Sequence, residues 1–502
     1  MSEALRLLAE LRRQGANPSG VSADSRQIAR GDLFVALPGA RRDGRDFIPE
    51  AVARGAVGVL RESAGGFGRG DESPLAVPNV AAAQLQAIGG ELANVIYDFP
   101  STKLWMVGVT GTNGKTTVSQ WISQALNASG RKCGVIGTLG SGFPGNLSEI
   151  LNTTPDAISL QRTLAGFVGD GANACAMEVS SIGLDQGRTD AVNFDVAVFT
   201  NLTRDHLDYH PGMAAYAAAK TRLFEGPGLK AAVLNLDDAC GVRLGSMLAG
   251  KGVWRIGYTL DRIAAGAAAG AADEVLAAEN LDLSGQGLAF SIRSGQGEVS
   301  IGTRILGRFN ASNLLAVAGS LLAAGISLEQ TAALLPQLVP PPGRMQGIGG
   351  DGKPLLVLDY AHTPDALEQT LLTLREIALL RGHGRLNCVF GCGGERDPGK
   401  RPLMGEVAAR LADASVVTSD NPRGEDPRTI IDAILVGMPA ATPVEVDRAL
   451  AIRSVVRNAR SNDVVLIAGK GHELYQEIAG RRLPFSDLQH AQTALAQWSA
   501  AV

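Results

Sequence analysis

A recurring pattern of short apolar segments, each ending abruptly in polar residues, constrains the fold of this chain more than any other feature. Each segment is rich in Val, Ile and Leu, and helix-compatible stretches separate most of them. This alternation predicts βαβ units, and therefore an α/β fold with parallel sheets. The segments span residues 104–109, 174–177, 196–199, 355–358, 388–390, 415–417 and 464–467.

The polar residues that follow these segments fall into two groups, within residues 104–235 and 355–475. Ligands of open parallel sheets bind beyond the carboxyl ends of the strands, so we expect the chemistry there. A chain of 502 residues is too long for a single core, and the stretches YDFPSTK and VPPPGR have linker composition. We predict a small N-terminal α/β domain, a central parallel-sheet domain with a P-loop and a C-terminal Rossmann-like domain, at residues 1–102, 103–338 and 339–502.

The charge balance argues against a nucleic-acid-binding surface, because 46 Lys and Arg nearly cancel 50 Asp and Glu, and no basic run stands out. The amino terminus lacks the apolar stretch of a signal peptide, and no segment has the character of a bilayer span. We therefore expect a cytoplasmic protein that binds neither nucleic acid nor membrane. The five cysteines are sparse and mostly lie in apolar runs, which suits reduced core thiols.

The segment GTNGKTT follows a predicted buried strand and opens a helix-compatible stretch. Small residues there let backbone N–H groups approach phosphate oxygens, and the helix amino terminus adds a positive dipole end. Lys115 can neutralise terminal phosphates, and Thr116 can ligate Mg²⁺. Val109 breaks the strict P-loop pattern, so an incidental Gly-rich turn is the alternative. We predict a nucleotide site at this phosphate loop, formed by Gly111, Thr112, Asn113, Gly114, Lys115, Thr116 and Thr117.

The phosphate loop is similar to the shortened loop of the Mur ligases and of the related folylpolyglutamate synthetases. The resemblance implies an ATP-dependent enzyme that joins a carboxylate to an amine, with Mg²⁺ as its cofactor and ATP as co-substrate. The loop alone leaves other P-loop enzymes open. The remaining motifs have to decide between them.

Glu178 in AMEVSS and His206 in RDHLD each follow a predicted strand of the central domain, and both carry groups that can bind or orient Mg²⁺ around a triphosphate. Taken alone, either residue also fits a structural role. The resemblance implies that both act on Mg²⁺. It also implies that Lys220 in AYAAAK, otherwise a solvated helix lysine, is carbamylated and holds a second Mg²⁺. The implied catalytic residues are Lys115, Glu178, His206 and Lys220, with Thr116 as a further metal ligand.

Other segments resemble parts of the family that hold the nucleotide. Asn310 lies with Asn313 in GRFNASNLLAVA, where a helix N-cap is an equally good role for Asn310. Arg344, and Asp359 and His362 in DYAHTPD, resemble residues of the last domain that close over ATP. Such closure would exclude water from a reactive intermediate.

The resemblance also implies an acceptor, a UDP-linked muramoyl dipeptide. The spacing of DSR and GDLFVA in the first domain resembles the cradle for uridine diphosphate, which implicates Ala23, Ser25, Ala40, Arg41 and Arg42. In the central domain, an arginine facing a carboxylate and hydroxyls facing amides suit an acidic peptide. The matching positions are Asn152, Thr153, Thr154, Ser180, Gln186 and Arg188.

The tetrapeptide DNPR at 420–423 follows a predicted strand, and Asn-Pro by itself favours a turn. It also matches the family tetrapeptide that recognises meso-diaminopimelate, in which a guanidinium can grip the D-configured carboxylate through two hydrogen bonds. The resemblance further suggests that Glu473 pairs with an ammonium group. The residues implied for this amino acid are Arg396, Asp420, Asn421, Pro422, Arg423, Gly469 and Glu473.

The implied reaction adds meso-diaminopimelate to the D-glutamate γ-carboxylate of UDP-N-acetylmuramoyl-L-alanyl-D-glutamate in peptidoglycan synthesis. The carboxylate first takes the γ-phosphate of ATP, and the amine then attacks the acyl phosphate. Alternatives stay open at this point: a related ligase that adds L-lysine, a P-loop regulator or phosphotransferase, and a nonenzymatic nucleotide-binding module. We expect a monomer whose partners are these small-molecule substrates.

Overall fold

The computed structural model describes residues 2–39, 42–63, 75–261, 270–284 and 287–499. Contacts between residues divide the chain into two compact units. The first unit comprises Met1–Thr110, Leu126–Ala197 and Ala219–Lys230, and the second comprises Gly111–Ala125, Val198–Ala218 and Ala231–Val502. The three domain ranges expected from the sequence stay a prediction.

Helices and strands alternate along most of the described chain. The strands are β1 Gly20–Ser22, β2 Asp32–Ala36, β3 Gly58–Glu62, β4 Asn79–Ala82, β5 Trp105–Thr110, β6 Cys133–Gly137, β7 Gly140–Phe143, β8 Asn146–Ser148, β9 Ala174–Glu178, β10 Val196–Phe199, β11 Ala231–Asn235, β12 Trp254–Thr259, β13 Glu274–Ser284, β14 Gly287–Ser294, β15 Gly297–Thr303, β16 Gln346–Gly349, β17 Leu355–Asp359, β18 Leu386–Phe390, β19 Ala414–Val417, β20 Val464–Ala468, β21 Tyr475–Ile478 and β22 Arg481–Pro484. The α-helices are α1 Glu3–Arg13, α2 Ile48–Ala53, α3 Leu85–Ile96, α4 Lys115–Ala128, α5 Ala157–Gly169, α6 Ser181–Asp185, α7 Met213–Thr221, α8 Ala239–Leu248, α9 Arg308–Ala323, α10 Leu328–Leu334, α11 Pro364–Leu380, α12 Lys400–Leu411, α13 Pro427–Leu435, α14 Arg448–Asn458 and α15 Asp487–Ala496.

The first unit begins with a four-stranded parallel sheet in the order β1-β2-β3-β4. Its strand β2 is buried on both faces, because Leu33 and Val35 pack in the cluster with α1 and α3, whereas Phe34 and Ala36 pack in the cluster with α2. This arrangement follows from the alternation of side chains along a strand. It places helices on both sides of the sheet.

The second sheet region of the first unit contains β5, β9 and β6 as parallel neighbours, with β7 and β8 added in antiparallel pairing. Nearly every residue of these three parallel strands is buried. Strands covered on both faces read as continuous apolar runs, which is why β5 and β9 are visible in the sequence, whereas β6 was not predicted. The strands expected at 104–109, 174–177 and 196–199 are confirmed as β5, β9 and β10.

In the second unit, β11, β12 and β13 are parallel, but β13, β14 and β15 pair antiparallel. The predicted α/β class is confirmed, and the antiparallel strands β14 and β15 extend the parallel part of this sheet. A two-residue connection joins β14 to β15 between Ser294 and Gly297, and so short a link permits only antiparallel neighbours.

The remaining sheet of the second unit has the order β16-β17-β20-β18-β19, and all its pairs are parallel except β16 with β17. Helices α11, α12 and α13 pack in one apolar cluster and α14 and α15 in another, so the sheet is doubly wound. The strands expected at 355–358, 388–390, 415–417 and 464–467 are confirmed as β17, β18, β19 and β20. Their carboxyl ends meet at one edge, where the site residues of this unit lie.

A fully buried ion pair fastens the carboxyl end of β20. Arg448 donates from Nε and Nη2 to the two oxygens of Asp487, at 2.8 and 2.7 Å, and both side chains are inaccessible to solvent. Nη2 of Arg448 also donates to the carbonyl of Ala468, the last residue of β20, at 2.8 Å. The pair therefore orients the segment that continues from this strand.

Replacing Arg448 with methionine should lower the free energy of unfolding by about 3–5 kcal/mol, because it leaves the Asp487 carboxylate buried without its partner. Hydrogen exchange of the β20 amides measures this locally. The matched control is Arg428→Met, since Arg428 is exposed and lies 3.9 Å from an exposed partner, Asp432. Equal exchange rates in the two variants would contradict a stabilising role for the buried pair.

All five cysteines are buried and free, which confirms the expectation of core thiols. Burial raises the pKa of Cys388 and of Cys392 to about 12. Within the described ranges, no helix combines the length and apolar character needed to cross a membrane.

Candidate active site

The phosphate loop needs glycine at two positions. Gly111 and Gly114 have φ of +150° and +84°, which side chains with a Cβ rarely adopt. A Cβ at Gly111 would collide with the Thr200 hydroxyl, and one at Gly114 would lie 2.6 Å from Oδ1 of Asn313. The loop is therefore packed against two other segments of the second unit.

Hydrogen bonds anchor the loop to the residues that follow β10. The backbone N–H of Thr112 donates to the carbonyl of Asn201 at 2.8 Å, and the N–H of Asn113 donates to Oδ1 of Asn201 at 2.9 Å. The Thr112 hydroxyl accepts from the N–H of Thr203 and contacts the hydroxyl of the buried Tyr216. Two of the predicted phosphate-binding N–H groups are thus engaged within the protein.

Lys115 and Thr116 open α4. Nζ of Lys115 donates to the carbonyls of Gly111 and Thr112, both at 2.8 Å, so its ammonium lies over its own loop. The hydroxyl of the buried Thr116 accepts from Nη2 of Arg344 at 3.1 Å. Arg344 is thereby brought to the phosphate loop, and its predicted contact with ATP stays a prediction.

Asp359 and Arg344 lie in one polar cluster. Both oxygens of Asp359 accept backbone N–H groups, from Met345 and Ala361, at 2.8 Å each. Burial raises the pKa of Asp359 above its ordinary value, although the Arg344 charge and the two N–H groups oppose the rise. The guanidinium of Arg344 stacks on the Tyr360 ring at 4.5 Å. Asp359 thus fixes the backbone next to Arg344, at Met345, and the backbone next to Tyr360, at Ala361.

Asn310 lies inside the first turn of α9, which begins after the cap residue Gly307, so the N-cap alternative is wrong. Its Nδ2 donates to the carbonyl of Leu306, and its Oδ1 accepts from Nδ2 of Asn313 at 3.0 Å. Asn313 is the member of this pair that borders Gly114. Asn310 therefore positions Asn313 beside the phosphate loop.

His362 belongs to a cluster of charged residues around the buried Asp205. Sequence reasoning did not single out Asp205. Oδ2 of Asp205 lies 3.5 Å from Nε2 of His206 and 3.7 Å from Nε2 of His362, and Oδ1 lies 3.7 Å from Nζ of Lys400. Burial by itself would raise the pKa of the Asp205 carboxyl. Its interactions with His362, His206 and Lys400 outweigh burial and hold that pKa well below its ordinary value.

Further ion pairs join the TRDHLD and GERD segments. Arg204 donates to both oxygens of Asp397, at 3.0 and 3.2 Å, and the exposed Arg396 lies 3.8 Å from Asp208. In addition, Nδ2 of Asn113 donates to Asp365 at 2.9 Å. The alternating charges of these two segments were the available sequence signal for the pairing.

In the first unit, Glu178 ends β9 with its carboxylate almost completely buried. Its two oxygens accept from the backbone N–H and the hydroxyl of Thr138, at 2.7 and 3.1 Å. The Thr138 hydroxyl also contacts the Thr153 hydroxyl at 3.1 Å. The strand end therefore presents a hydrogen-bonded carboxylate next to the predicted peptide-binding residues.

Most of the predicted peptide-binding residues form one network with Glu178. The Thr154 hydroxyl lies 3.0 Å from the Glu178 carbonyl and 3.1 Å from Oγ of Ser180. Arg188 donates to the Thr154 carbonyl and twice to Oε1 of Gln186. Asn152 is exposed and makes no side-chain hydrogen bond within the described chain.

Lys220 and His206 differ in exposure. The Lys220 side chain, at the end of α7, is buried, so its interpretation as a solvated lysine is wrong. His206 has φ of +54°, is partly buried, and packs edge-on against Tyr216. Among the described residues, no three His, Cys, Asp or Glu side chains converge in a metal-binding group.

Of the residues predicted to bind uridine diphosphate, Ser25 is buried and its hydroxyl donates to Glu50 at 2.9 Å. Ala23 and Arg42 are exposed, whereas Ala40 and Arg41 lie outside the described residues. Arg162 on α5, which sequence reasoning missed, donates to Asp32 and to the Val21 carbonyl.

The tetrapeptide at 420–423 lies at the same sheet edge as the end of β20. Arg423 has φ of +52°; its N–H donates to the Glu477 carbonyl at 2.9 Å, and its Nη1 donates to the Gly394 carbonyl at 2.8 Å. The N–H of Glu425 donates to the Pro422 carbonyl, so the expected turn is present as well. Turn and pairing together present the Arg423 side chain.

Gly469 and Glu473 complete this edge. A Cβ at Gly469 would collide with the Asp420 carboxylate, which explains the glycine. Oε2 of Glu473 accepts from Nδ2 of Asn421 and from Nζ of Lys470, both at 2.8 Å. Lys470 was missed, although its place two residues after a buried strand was a usable signal.

Comparison with known proteins agrees with this geometry. Three family models match the chain: "Mur ligase family, catalytic domain" at 18–89, "Mur ligase middle domain" at 109–321 and "Mur ligase, glutamate ligase domain" at 343–471. A UDP-N-acetylmuramoyl-L-alanyl-D-glutamate–2,6-diaminopimelate ligase from Chromobacterium violaceum is 48% identical over 95% of this chain and 94% of its own length. The chain belongs to the Mur ligase family.

Solved structures of Mur ligases share the fold. A structure titled as a UDP-N-acetylmuramoyl-L-alanyl-D-glutamate–2,6-diaminopimelate ligase is 37% identical, with a TM-score of 0.64 over 96% of this Mur ligase and 95% of that chain. The MurF ligase of Thermotoga maritima in complex with ADP is 18% identical, with a TM-score of 0.67 over 99% of each chain. The second likeness concerns the fold alone.

Proposed function

We propose that this Mur ligase adds meso-2,6-diaminopimelate to the D-glutamate γ-carboxylate of UDP-N-acetylmuramoyl-L-alanyl-D-glutamate, using ATP. The observation that carries the choice of amine is the clustering of Asn421, Arg423 and Glu473 at one sheet edge. The identity to the Chromobacterium violaceum ligase supports the same acceptor and a 2,6-diaminopimelate substrate. We further expect the enzyme to act in the cytoplasm as a monomer.

The first step activates the acceptor, because a carboxylate and an ammonium do not condense usefully at neutral pH. The γ-carboxylate attacks the γ-phosphate of ATP and gives an acyl phosphate and ADP. Since the N–H groups of Thr112 and Asn113 donate to Asn201, the phosphate oxygens are bound by Lys115 and the first turn of α4. Lys115 leaves the carbonyls of its own loop to bind the transferring phosphate.

We assign Mg²⁺ roles to Thr116 and His206 in the second unit and to Glu178 and Lys220 in the first. A magnesium ion that is shared with triphosphate oxygens needs only one or two protein carboxylates, so the lack of a group of three acidic or imidazole ligands in the described chain fits this role. When bound, Mg²⁺ would neutralise charge on the phosphates. Lys220 is buried at the end of α7. The carbamate that the family resemblance implies would replace its positive charge with anionic oxygens, the kind of ligand that Mg²⁺ prefers.

Three further residues of the second unit, Arg344, Asn313 and His362, close the nucleotide site. Arg344 reaches Thr116, and Asn313 borders Gly114, so both lie where they can contact ATP phosphates. His362, whose Nε2 lies 3.7 Å from Oδ2 of Asp205, belongs to the same group of residues that close over ATP. Closure excludes water, which protects the acyl phosphate from hydrolysis.

The second step joins the amine to the acyl phosphate, and phosphate leaves from a tetrahedral intermediate. The guanidinium of Arg423 binds the carboxylate at the D-configured end of diaminopimelate, with Arg396 nearby. Glu473 binds the ammonium of that end. The network of Thr154, Ser180 and Arg188 holds the muramoyl peptide, and Ser25 with its neighbours holds uridine diphosphate.

The test is tripeptide formation from ATP, Mg²⁺ and UDP-N-acetylmuramoyl-L-alanyl-D-glutamate, with meso-diaminopimelate or L-lysine offered as the amine. We expect stoichiometric phosphate and tripeptide with meso-diaminopimelate, and little product with lysine. Omission of Mg²⁺ should stop the release of phosphate and the formation of tripeptide. Phosphate release without tripeptide, independent of any amine, would show a nucleotide hydrolase or regulator instead, and a preference for lysine would reassign the amine.

A further inference from the structure

Lys470 is a fully buried lysine that lies two residues after the end of β20. Its Nζ donates to Oδ1 of Asn421 at 3.0 Å and to Oε2 of Glu473 at 2.8 Å, and it lies 5.6 Å from the centre of the Tyr475 ring. Nδ2 of Asn421 donates to the same Glu473 oxygen at 2.8 Å. The three side chains close a triangle of hydrogen bonds.

We propose that Lys470 is a positioning residue for amine selection, acting through Glu473 and Asn421. The inference rests on the proposed function, because it takes the Asn421, Arg423 and Glu473 edge as the amino-acid site. A buried ammonium without a partner would be destabilising, so the ion pair at 2.8 Å fixes the position of the Glu473 carboxylate beside Lys470. Lys470 itself has no exposed surface and does not touch the amino acid.

The triangle determines which oxygen of Glu473 faces the ligand. Oε2 already accepts from both Lys470 and Asn421, whereas Oε1 accepts no hydrogen bond from the described part of the chain. The Glu473 side chain is 15% exposed. Oε1 is therefore the oxygen presented to the ammonium of an incoming amino acid, with its direction set before binding.

The same triangle reaches Arg423. Oδ1 of Asn421 accepts from Lys470 and also from the backbone N–H of Glu477 at 2.9 Å, so the orientation of its amide is fixed by two donors. The carbonyl of Glu477 in turn accepts from the N–H of Arg423. Lys470 thereby links the residue that binds the ammonium to the strand pairing that presents the guanidinium.

The experiment compares Lys470→Met with wild type in steady-state kinetics, with each of the three substrates varied in turn. Because a buried partner is left unsatisfied, we expect KM for meso-diaminopimelate to rise by about 10- to 100-fold. KM for ATP and for the UDP-linked dipeptide should stay within about twofold, because no hydrogen bond of the triangle reaches the phosphate loop. Equal changes in all three KM values would overturn the proposal.

The matched control is Arg381→Met. Arg381 donates to the carbonyls of Gly350, Lys353 and Ser461, near the opposite end of β20, so it is a structural cation of the same sheet. We expect its loss to lower stability and to leave the KM for the amine unchanged. A rise in that KM equal to the one in Lys470→Met would reduce Lys470 to a structural role.

A double-mutant cycle with Glu473→Gln tests whether Lys470 acts through Glu473. We expect the double variant to lose less than the sum of the two single losses, because one of the two partners through which Lys470 acts is already altered; fully additive effects would overturn the proposal. If Lys470→Met does not fold, Lys470→Gln keeps a donor in place and serves the same cycle. If wild type proves to use lysine, the proposed function fails, but the KM comparison with lysine still tests Lys470.

Discussion

Replacement of Lys115 by methionine should lower the kcat of tripeptide formation by about 1000-fold, since it removes a cation that stabilises charge on the transferring phosphate. Nζ of Lys115 donates to the Gly111 and Thr112 carbonyls, so it lies at the loop that would bind the phosphates. Methionine keeps an unbranched side chain only one atom shorter and removes the charge and the donors. The measurement is single-turnover formation of ADP and tripeptide.

The control for this variant is Lys251→Met, because Lys251 is an exposed lysine of the same unit in the turn after α8. Its kcat should equal that of wild type. A Lys115→Met enzyme that keeps more than a tenth of the wild-type kcat would remove Lys115 from the chemical step. Retained ATP binding with lost turnover would agree with a role in the transition state.

The second large effect concerns Arg423. Arg423→Lys should lower kcat/KM for meso-diaminopimelate by about 100- to 1000-fold, because an ammonium cannot reproduce a two-point grip on a carboxylate. The kcat/KM for L-lysine, which lacks that carboxylate, should change little. The ratio of the two kcat/KM values, measured in competition, reports the loss of selectivity.

Arg482→Lys is the matched control for Arg423→Lys. Arg482 lies on the neighbouring strand β22, is exposed, and stacks on the Tyr475 ring at 4.3 Å. The control variant should keep the wild-type preference for meso-diaminopimelate. An unchanged preference in Arg423→Lys would instead assign the amine selection to another residue.

The parallel strands that the sequence predicts are those in which burial on both faces leaves a continuous apolar run. β5, β9, β17 and β20 are of this kind, and the sequence predicts each of them to within one residue at either end. The strands β7, β8, β21 and β22 were not predicted. They are short and mostly part-exposed, so neither an apolar run nor an alternating pattern marks them.

The same physics separates the site residues that could be predicted from those that could not. The roles of Gly111, Gly114 and Lys115 could be predicted, because the glycines serve a local backbone conformation and the lysine serves phosphate binding. Asn201 and Asp365 act on the phosphate loop through hydrogen bonds that span 88 and 252 positions of sequence. Such partners depend on tertiary packing, which no local pattern encodes.

The pairing of Arg423 with the hairpin of β21 and β22 has a consequence for transplanting amine selectivity between relatives. The N–H of Arg423 donates to the Glu477 carbonyl, and its own carbonyl accepts from Ala479. Residues 420–423 thus join residues 469–479 through an isolated β-bridge between Arg423 and Ile478. Transfer of residues 420–423 alone would leave behind the segment that orients them. The smallest exchangeable unit therefore comprises residues 420–423 and 469–479.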